Sequence, residues 1–374
     1  MRTSVVLSGT GLWKPTHTIT NEELVASYNA YANQFNVKNA EAIAAGTVVA
    51  KPQSSAAFIE KASGIKSRYI YIKDGTLDTN RMMPNIPRRK DEELSDQAEM
   101  AIHAAKRAMQ SANKAAVDID AVIVACAYTQ RSYPAIAIEV QAALGIEGYG
   151  FDMLVACSAA TFGLHRAYEM VKAGTANCVL VINPELTSPQ VNYTDRDSHF
   201  IFGDVSVATI IENAETATAI HTYKILSTKA VTKFSNNIRS NFGYVMNANN
   251  ASPLSADQYF HQQGRKVFKE VCPMAAKHIN EHIQQHKLVP SDIKRWWLHQ
   301  ANINMNKLIC KLLLDRQPNQ EEAPIVLDEF ANTASAGSLI AFNQYHQDLE
   351  QGDYGLICSF GAGYSIGSLV VQKR

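Results

Sequence analysis

A single cysteine stands between an apolar run and a run of very small side chains in the stretch DMLVACSAATFGLHRA, residues 152–167. The residues up to Ala156 favour the end of a buried strand, and those from Ser158 favour a helix that stops at Gly174. A thiol in the first turn of a helix meets the positive end of the helix dipole, which favours the thiolate. The small side chains that follow leave room for a substrate. Cys157 is therefore a candidate nucleophile, although a cysteine in an apolar run is more often a packing residue.

Two more polar residues are predicted at similar positions. His299 ends the strand-like run WWLHQ and precedes NINMNKLICKLLL, whose apolar residues recur at helical spacing. Asn332, in EFANTASAGSLIAF, is predicted to follow a third strand and to precede a helix. A lone histidine on an apolar face is usually a core residue, but a thiol, an imidazole and a carboxamide at one edge of a fold indicate an active site.

An internal similarity would bring these three residues together. DIDAVIVACA at Asp118 is echoed by DIKRWWLHQA at Asp292, and CVLVIN is echoed by YGLICS, both at an offset of roughly 175 residues. Short β-branched runs alternate with alanine-rich segments of helical period, which is typical of an α/β fold. We therefore predict two related βαβαβ-type halves, residues 1–215 and 216–374, whose sheets pack around central helices.

Composition excludes several classes of function. The 374 residues carry 35 basic and 35 acidic side chains, so no overall charge draws the protein to nucleic acid or to an anionic membrane. No run approaches the roughly 18 apolar residues of a membrane-spanning helix, and the N-terminus does not resemble a signal peptide, so we expect a cytoplasmic protein. The six cysteines form no CxxC pair, which predicts free thiols.

Other motifs are weak. His278, His282 and His286 recur every four residues and could hold a metal, but no HExxH pattern accompanies them. An exposed polar helix face is the favoured interpretation, and we expect no metal site. The spacing of GAGYSIG does not fit a dinucleotide-binding loop, and no GxSxG motif of a serine hydrolase is present.

Three long stretches interrupt the alternation of strands and helices. They are residues 26–57, which are rich in alanine and asparagine and weakly helical, residues 73–94, and residues 232–258. Irregular segments of that length in a compact domain are usually covers or flaps over a site.

Five motifs together resemble β-ketoacyl-acyl-carrier-protein synthase III, a member of the thiolase-like condensing enzymes. They are VACSAATFG around Cys157, DRDSHFIFGD from Asp195, LHQAN around His299, ANTASAG around Asn332, and SFGAGYSIGS near the C-terminus. The resemblance covers nearly the whole chain. It implies a duplicated fold with layers in the order α-β-α-β-α, and an acyltransferase of fatty acid or related biosynthesis that uses no cofactor.

The resemblance implies a decarboxylating Claisen condensation of an acyl thioester with malonyl carrier protein. Cys157 would hold the acyl group as a thioester. His299 and Asn332 would donate hydrogen bonds to the oxyanion that forms when the malonyl thioester loses CO2, and such a donor is typically worth about 10²- to 10³-fold in rate. The backbone N–H groups of Cys157 and Ala362 would form the second oxyanion hole.

The substrate residues are also assigned by resemblance. Phe58, where the family pattern has a tryptophan, and Arg196 would hold the nucleotide of coenzyme A, and Phe360 would contact the substrate. Tyr133 matches a position that reaches the acyl pocket of the partner subunit, which implies a homodimer. The family's arginine after HQAN is Asn304 here. The segment before Phe58 could cover a longer acyl group, so we expect a medium-chain primer rather than acetyl.

The resemblance also implies a basic docking surface for the acidic acyl carrier protein. The candidates are Arg265, Lys266, Lys269, Lys307 and Lys311, and each of them could equally be an ordinary solvated side chain.

Two other functions stay open from the sequence. A thiolase or head-to-head acyl condensing enzyme would use the same fold, but Cys358 lies one residue too early for the second thiolase cysteine. A non-catalytic carrier-binding homologue is disfavoured because all three reactive residues are present.

Overall fold

A computed structural model describes residues 3–243, 248 and 258–374 of the chain. Part of the third predicted cover, residues 244–247 and 249–257, lies outside the described residues. The first half of the described chain contains five strands of the main sheet in the spatial order β1-β7-β6-β4-β5. Their bounds are Val5–Trp13 (β1), Ala121–Cys126 (β4), Tyr149–Leu154 (β5), Cys178–Glu185 (β6) and Val205–Asn213 (β7). Two short strands, His17–Thr20 (β2) and Ser67–Ile70 (β3), pair separately.

The second half repeats this arrangement with four strands in the order β8-β13-β12-β11. Their bounds are Tyr223–Ser235 (β8), Ile293–Leu298 (β11), Tyr354–Gly361 (β12) and Gly363–Lys373 (β13), while Ile238–Arg239 (β9) and His261–Gln262 (β10) form a small ladder. β11 runs parallel to β12 as β4 runs parallel to β6, and β13 is antiparallel to both neighbours as β7 is. Strands β1 and β8 pair and join both halves in one nine-stranded sheet.

The helices complete five layers. Their bounds are Asn21–Lys38 (α1), Ala40–Ala44 (α2), Ala56–Ser63 (α3), Asp96–Ala112 (α4), Ile136–Leu144 (α5), Ala159–Ala173 (α6), Gly264–Gln284 (α7), Ile303–Leu314 (α8), Leu327–Phe330 (α9) and Gly337–Gln344 (α10). Helix α6 contacts strands of both halves, and with α10 it forms the central layer. Helices α4 and α5 cover the first-half strands, and α7 and α8 cover the second-half strands. The predicted α/β class is confirmed. The division at residue 215 stays a prediction, and it falls in the connection between β7 and β8.

The small side chains that follow Cys157 pack the central helix against the sheet. Ala159 and Ala160 have no exposed surface and belong to the main core. A Cβ on Gly163 would lie 2.8 Å from the Cβ of Ala125, so α6 approaches β4 as closely as side chains allow. We expected these small residues to leave room for a substrate. That expectation is wrong for Ala159 and Ala160, because the close approach of helix and sheet already fills the space.

The strand expected before Asn332 is absent, and the short helix α9 takes its place. The backbone N–H groups that would begin the strand are bound by side chains. Ile325 donates to Oε1 of Gln320 at 3.2 Å, and Val326 donates to Oε1 of Gln300 at 3.1 Å. These side-chain acceptors satisfy the segment without a neighbouring strand.

The three spaced histidines of α7 do not form an exposed polar face. His278 and His282 are buried against the sheet, and His286 is half-buried. Ser368 on β13 is 2.9 Å from Nε2 of His278 and 2.7 Å from Nδ1 of His282, so hydroxyl groups supply their hydrogen bonds. The expectation of exposure is wrong because hydroxyl groups on the sheet, those of Ser368 on β13 and Ser227 on β8, satisfy the buried imidazole nitrogens. No group of metal-binding side chains suited to an ion occurs in residues 3–243, 248 and 258–374.

None of the helices within the described ranges has the length and apolar character needed to cross a bilayer.

Candidate active site

Cys157 lies in a short turn between β5 and α6. Residues Ala156–Ser158 form one turn of 3-10 helix, which Ala156 enters with a φ of +46°. The N–H of Ser158 donates to the carbonyl of Val155 at 3.1 Å, and the Ser158 hydroxyl is 2.5 Å from that of Ser365 on β13. Cys157 is partly accessible, whereas the other five cysteines are buried. Cys157 is therefore the one cysteine of the six whose side chain a substrate could reach without a change in packing.

The end of β12 lies directly against Cys157. A Cβ placed on Gly361 would be 2.6 Å from the Cβ of Cys157 and 3.1 Å from its backbone nitrogen. Only glycine allows this approach. The next residue, Ala362, begins the turn to β13, and its carbonyl accepts from the Ser365 hydroxyl at 2.7 Å. The two backbone segments predicted to form an oxyanion hole are thus neighbours.

His299 follows β11 and reaches the same end of β12. Its backbone N–H donates to the carbonyl of Cys358 at 2.8 Å. Its imidazole ring packs edge-on against the ring of Phe360, with 5.2 Å between the ring centres. Phe360 was predicted to contact substrate, and the structure places it against the imidazole. Burial lowers the pKa of His299 to about 3, so the ring is neutral near pH 7. A neutral imidazole donates one hydrogen bond.

Asn332 is held at both its backbone and its side chain. Its N–H donates to the carbonyl of Ile201 at 3.0 Å, and its carbonyl accepts from Gly203 at 3.1 Å. The side-chain oxygen Oδ1 accepts from the N–H of Ala334 at 3.0 Å. With the oxygen used in this way, Nδ2 is the group of this side chain that can donate a hydrogen bond to a substrate.

The Asn332 loop packs against the segment that follows His299. A Cβ on Gly337 would lie 2.8 Å from the Cβ of Gln300. A cavity of about 270 Å³ is lined by both segments, through Asn332 on one side and through Ala301 and Asn302 on the other. Cys157 and His299 adjoin Gly361 and Phe360 and are not among the residues that line this cavity. The structure therefore brings Cys157 and His299 to β12, and brings Asn332 to the cavity beside them.

The cavity continues toward α3 and α7. The other lining residues are Phe58, Ala62, Ser63, Ile65, Asp197, Phe200, Ile201, Gln262, Gly264, Val267, Phe268 and Met305. Most of these side chains are apolar, which suits an acyl chain or the pantetheine arm that carries it.

Phe58 and Arg196 contact each other. The guanidinium carbon of Arg196 lies 3.8 Å from the centre of the Phe58 ring. Nε of Arg196 donates to the carbonyl of Gln53 at 2.8 Å, so the segment before α3 anchors the arginine. The structure thus brings the two residues of the predicted nucleotide site into contact with each other.

The surroundings of Cys157 oppose its ionisation. Burial raises the pKa of the thiol to about 12, the negative charge of Glu185 adds to this effect, and the backbone N–H of Cys157 offsets part of it. The sequence-based expectation was a position that favours the thiolate. Loss of hydration outweighs the helix N-terminus here, so the resting group is a thiol.

The remaining predicted residues lie at the surface. Tyr133 is 79% exposed in the connection between β4 and α5, and it is not among the residues that line the cavity. Arg265, Lys266 and Lys269 are exposed on the first turns of α7, beside the cavity residues Gly264 and Val267. Lys307 and Lys311 are exposed on α8, and Lys307 lines a separate surface cavity of about 500 Å³.

Sequence reasoning missed Glu185 and Gly361. Glu185 is fully buried at the end of β6 and bonds the Asn332 loop through Ser335. An acidic residue that ends the apolar run CVLVINPE was the available signal. Gly361 belongs to the C-terminal motif SFGAGYSIGS. Its contact with Cys157 could not be predicted, because the two residues lie in different halves of the chain and no local sequence pattern indicates the contact.

Comparisons with known proteins agree with the motifs. Residues 151–230 match the family 3-oxoacyl-acyl-carrier-protein synthase III, and residues 283–373 match the C-terminal part of that family. A beta-ketodecanoyl-acyl-carrier-protein synthase of Pseudomonas aeruginosa is 52% identical over 348 residues, which are 93% of this chain and 99% of that protein. A beta-ketoacyl-acyl-carrier-protein synthase III of Acidiphilium cryptum is 30% identical, over 73% of this chain and 83% of the relative.

Solved structures show the same fold. The synthase III of Aquifex aeolicus superposes with a TM-score of 0.76 at 23% identity, covering 98% of this chain and 99% of that one. The synthase III of Pseudomonas aeruginosa gives 0.76 at 20% identity, covering 99% and 98%. Shared fold, matched motifs and a relative identical at half its positions lead to one assignment: the chain belongs to the 3-oxoacyl-acyl-carrier-protein synthase III family of condensing enzymes.

Proposed function

We propose that the protein condenses a medium-chain acyl thioester with malonyl-acyl carrier protein, releasing CO2 and a thiol and forming a β-ketoacyl carrier protein. The observation that carries the proposal is that Cys157 contacts Gly361 and His299 contacts Phe360, its neighbour on β12, while Asn332 lines the adjoining cavity. The chemistry needs no cofactor, because coenzyme A enters only as the carrier of a substrate.

Acylation of Cys157 is the first step. The sulfur attacks the thioester carbonyl of the primer, the carbon–sulfur bond of the primer breaks, and the departing thiolate takes the proton that the cysteine loses. The N–H groups of Cys157 and Ala362 stabilise the oxyanion that forms on the carbonyl oxygen. Because the resting group is a thiol, its proton must leave as the new bond forms.

Decarboxylation of the malonyl thioester is the second step. Loss of CO2 leaves an electron pair that delocalises onto the thioester oxygen, where His299 and Nδ2 of Asn332 donate hydrogen bonds. The carbon of this enolate attacks the acyl-cysteine, and the cysteine sulfur leaves. Both donors are neutral, so they stabilise the developing charge without themselves being ionised.

The similarity to the beta-ketodecanoyl-acyl-carrier-protein synthase of Pseudomonas aeruginosa supports a medium-chain primer. A condensation that adds two carbons reaches a β-ketodecanoyl product from an octanoyl primer. The apolar cavity beside Asn332 supports an acyl substrate of that kind. Whether the primer arrives on coenzyme A or on a carrier protein depends on the contact between Phe58 and Arg196.

The working unit is a homodimer formed along β5. This strand lies at the edge of the nine-stranded sheet and exposes Tyr149 and Leu154, which are 45% and 55% accessible. The nearby Tyr133 and Ile138 are also exposed. An apolar sheet edge of this kind is normally covered, and a second copy of β5 would cover it.

The acyl carrier protein docks at the first turns of α7. Arg265, Lys266 and Lys269 are exposed there, next to the mouth of the cavity, and they would attract an acidic partner. Lys307 and Lys311 on α8 extend the basic surface. A reaction that uses carrier protein and coenzyme A thioesters fits the cytoplasm.

Intact-mass measurements on a series of acyl thioesters test the function. We expect wild-type protein to gain one acyl group, fastest from medium-chain thioesters, and to release CO2 once malonyl carrier protein is added. Cys157→Ala should gain no acyl group but retain some decarboxylation through His299 and Asn332. Acyl label on the Cys157→Ala variant would refute the nucleophile, and product formed without a malonyl donor would favour a thiolase or head-to-head condensing enzyme.

A further inference from the structure

A buried carboxylate that these steps do not use lies at the end of β6. Glu185 has 0% exposed surface. It accepts hydrogen bonds from the N–H of Ala127 at 3.1 and 3.2 Å and from the N–H of Ser335 at 3.2 Å, and the hydroxyl of Ser335 donates to it as well. Within the described ranges no Lys, Arg or His forms an ion pair with it. Backbone and hydroxyl donors alone stabilise this buried charge, which is costly to maintain.

Ser335 belongs to the loop that carries Asn332. Two residues of this loop, Ala331 and Ala334, have φ values of +57° and +47°, a conformation that side chains with a Cβ rarely adopt. Such a conformation persists only where the surroundings hold it. The N–H of Ala334 is the group that binds Oδ1 of Asn332. The direction of the Asn332 amide therefore depends on how firmly Ser335 is held.

Asn183 provides a second anchor from the same strand. Its Nδ2 donates to the carbonyl of Ala125 at 2.5 Å and lies 3.5 Å from the Ser335 hydroxyl. The hydroxyl thus has an acceptor in Glu185 and a donor in Asn183. Both come from β6 in the first half, while the loop belongs to the second half.

We propose that Glu185 is a positioning residue that orients Asn332 for decarboxylation of the malonyl thioester. It touches neither the substrate nor the reacting sulfur and acts through Ser335. The inference rests on the proposed function and adds to it a residue that links the two halves of the fold.

The charge of Glu185 should favour decarboxylation but oppose the other half-reaction, the acylation of Cys157. Its negative charge contributes to the raised pKa of Cys157, so it opposes formation of the thiolate. Burial raises the pKa of Glu185 itself to about 7. The titratable groups around it are Cys126, Tyr128 and Cys157, and the pKa of each is raised, so all three are neutral near pH 7.

Glu185→Gln therefore separates the two half-reactions. The amide keeps the size of the side chain, but its NH₂ group faces the donors of Ala127 and Ser335. We expect decarboxylation of malonyl carrier protein to slow about tenfold or more, a substantial part of what an oxyanion donor supplies. Acylation of Cys157, followed by intact mass in a single turnover, should be unchanged or faster because a negative charge has been removed.

Two further variants complete the test. Ser335→Ala removes the hydroxyl bond to Glu185 but keeps the backbone N–H bond and the charge, so it should slow decarboxylation, though less than Glu185→Gln, without speeding acylation. It carries the test by itself if Glu185→Gln does not fold. Glu212→Gln is the matched control, because Glu212 is equally buried but pairs with Lys114 at 2.7 Å and with Ser8 at 2.5 Å, away from the Asn332 loop. It should leave the ratio of the two rates unchanged.

The pH dependence gives a readout that simple damage to the fold would not produce. Wild-type decarboxylation should rise as pH passes through about 7 and Glu185 ionises, since the carboxylate is the stronger acceptor, and Glu185→Gln should lose this rise. Unchanged decarboxylation in Glu185→Gln, a parallel fall of both rates, or the same pH profile in both proteins would overturn the proposal. Absence of decarboxylation in the wild type would instead count against the proposed function.

Discussion

The guanidinium carbon of Arg196 lies 3.8 Å from the centre of the Phe58 ring, in the place where the family resemblance puts the nucleotide of coenzyme A. A base inserted between them needs roughly 7 Å, twice the ~3.5 Å contact distance of carbon atoms. Binding the nucleotide there would break a contact worth about 0.5–1 kcal/mol at an exposed site.

We therefore expect the nucleotide of coenzyme A to contribute little to binding. An acyl-CoA and the matching acyl-pantetheine should react with kcat/KM values within about fivefold of each other, since fivefold corresponds to about 1 kcal/mol. Steady-state kinetics on both substrates measures this. Arg196→Ala, which lacks the stack, serves as the comparison. A penalty of about 30-fold or more for removing the nucleotide would show that the base does enter between the two side chains.

The reactivity of Cys157 should follow the raised pKa of its thiol, about 12. Because only the thiolate reacts, alkylation by iodoacetamide should speed up about tenfold per pH unit between pH 7 and 10, without the plateau of an ordinary thiol. Peptide mapping should find Cys157 modified before the five buried cysteines. A rate that levels off below pH 9 would contradict the raised pKa.

Gly361→Ala should damage acylation more than decarboxylation. The new methyl group would lie 2.6 Å from the Cβ of Cys157, so either the thiol or the turn to Ala362 must move. We expect single-turnover acylation to fall by about 10²-fold or more, the scale of losing an oxyanion-hole contact. Decarboxylation by His299 and Asn332 should persist. Acylation at the wild-type rate would show that the two backbones have more freedom than the structure indicates.

Acid should destabilise the packing of α7 on the sheet. Burial lowers the pKa of His282 to about 3, and the neighbouring His278, His286 and Lys229 add to the effect. The unfolded chain binds a proton below pH 6.5 while the folded chain does not, so stability is complete above pH 6.5 and falls as pH drops toward 3. At pH 5 one such histidine lowers the free energy of unfolding by about 2 kcal/mol.

Urea unfolding of the wild type and of His282→Gln at pH 7 and pH 5 measures this effect. The variant should lose less stability on acidification than the wild type does. His17→Gln, at an exposed position on β2, is the control and should show the wild-type difference. If the stability of His282→Gln depended on pH as that of the wild type does, His282 would not be a source of the acid destabilisation.

Leu154→Glu should separate the proposed dimer. Leu154 is 55% exposed on the edge strand β5, and a carboxylate there would be buried without a partner if a second copy covered the strand. Light scattering should then give about half the wild-type mass at micromolar concentration. Ile220→Glu places the same charge at a position 89% exposed in the connection between β7 and β8, and should leave the mass unchanged. A wild-type monomer, or a dimer that tolerates Leu154→Glu, would exclude this interface.

Local patterns in the sequence were sufficient for the elements that present Cys157 and His299. Apolar runs of strand length followed by helical spacing predicted β11 and α8, and the structure has both around His299. The similarity between the runs at Asp118 and Asp292 predicted the equivalence of β4 and β11, because each half must bury the same kind of strand.

The predictions that were wrong depend on contacts between distant residues. The segment before Asn332 has the rhythm of a strand, but Oε1 of Gln300, which lies 26 residues earlier, accepts from the N–H of Val326. The histidines of α7 are buried because serines on β8 and β13 meet them. Glu185 is a similar case, since its partner Ser335 lies in the other half of the chain.

The close approach of Gly361 to Cys157 joins parts of the chain about two hundred residues apart. During synthesis, Cys157 leaves the ribosome long before the backbone that is proposed to stabilise its oxyanion exists. Under the proposed function, a nascent chain therefore lacks half of the oxyanion hole until β12 has been translated and has docked against Cys157.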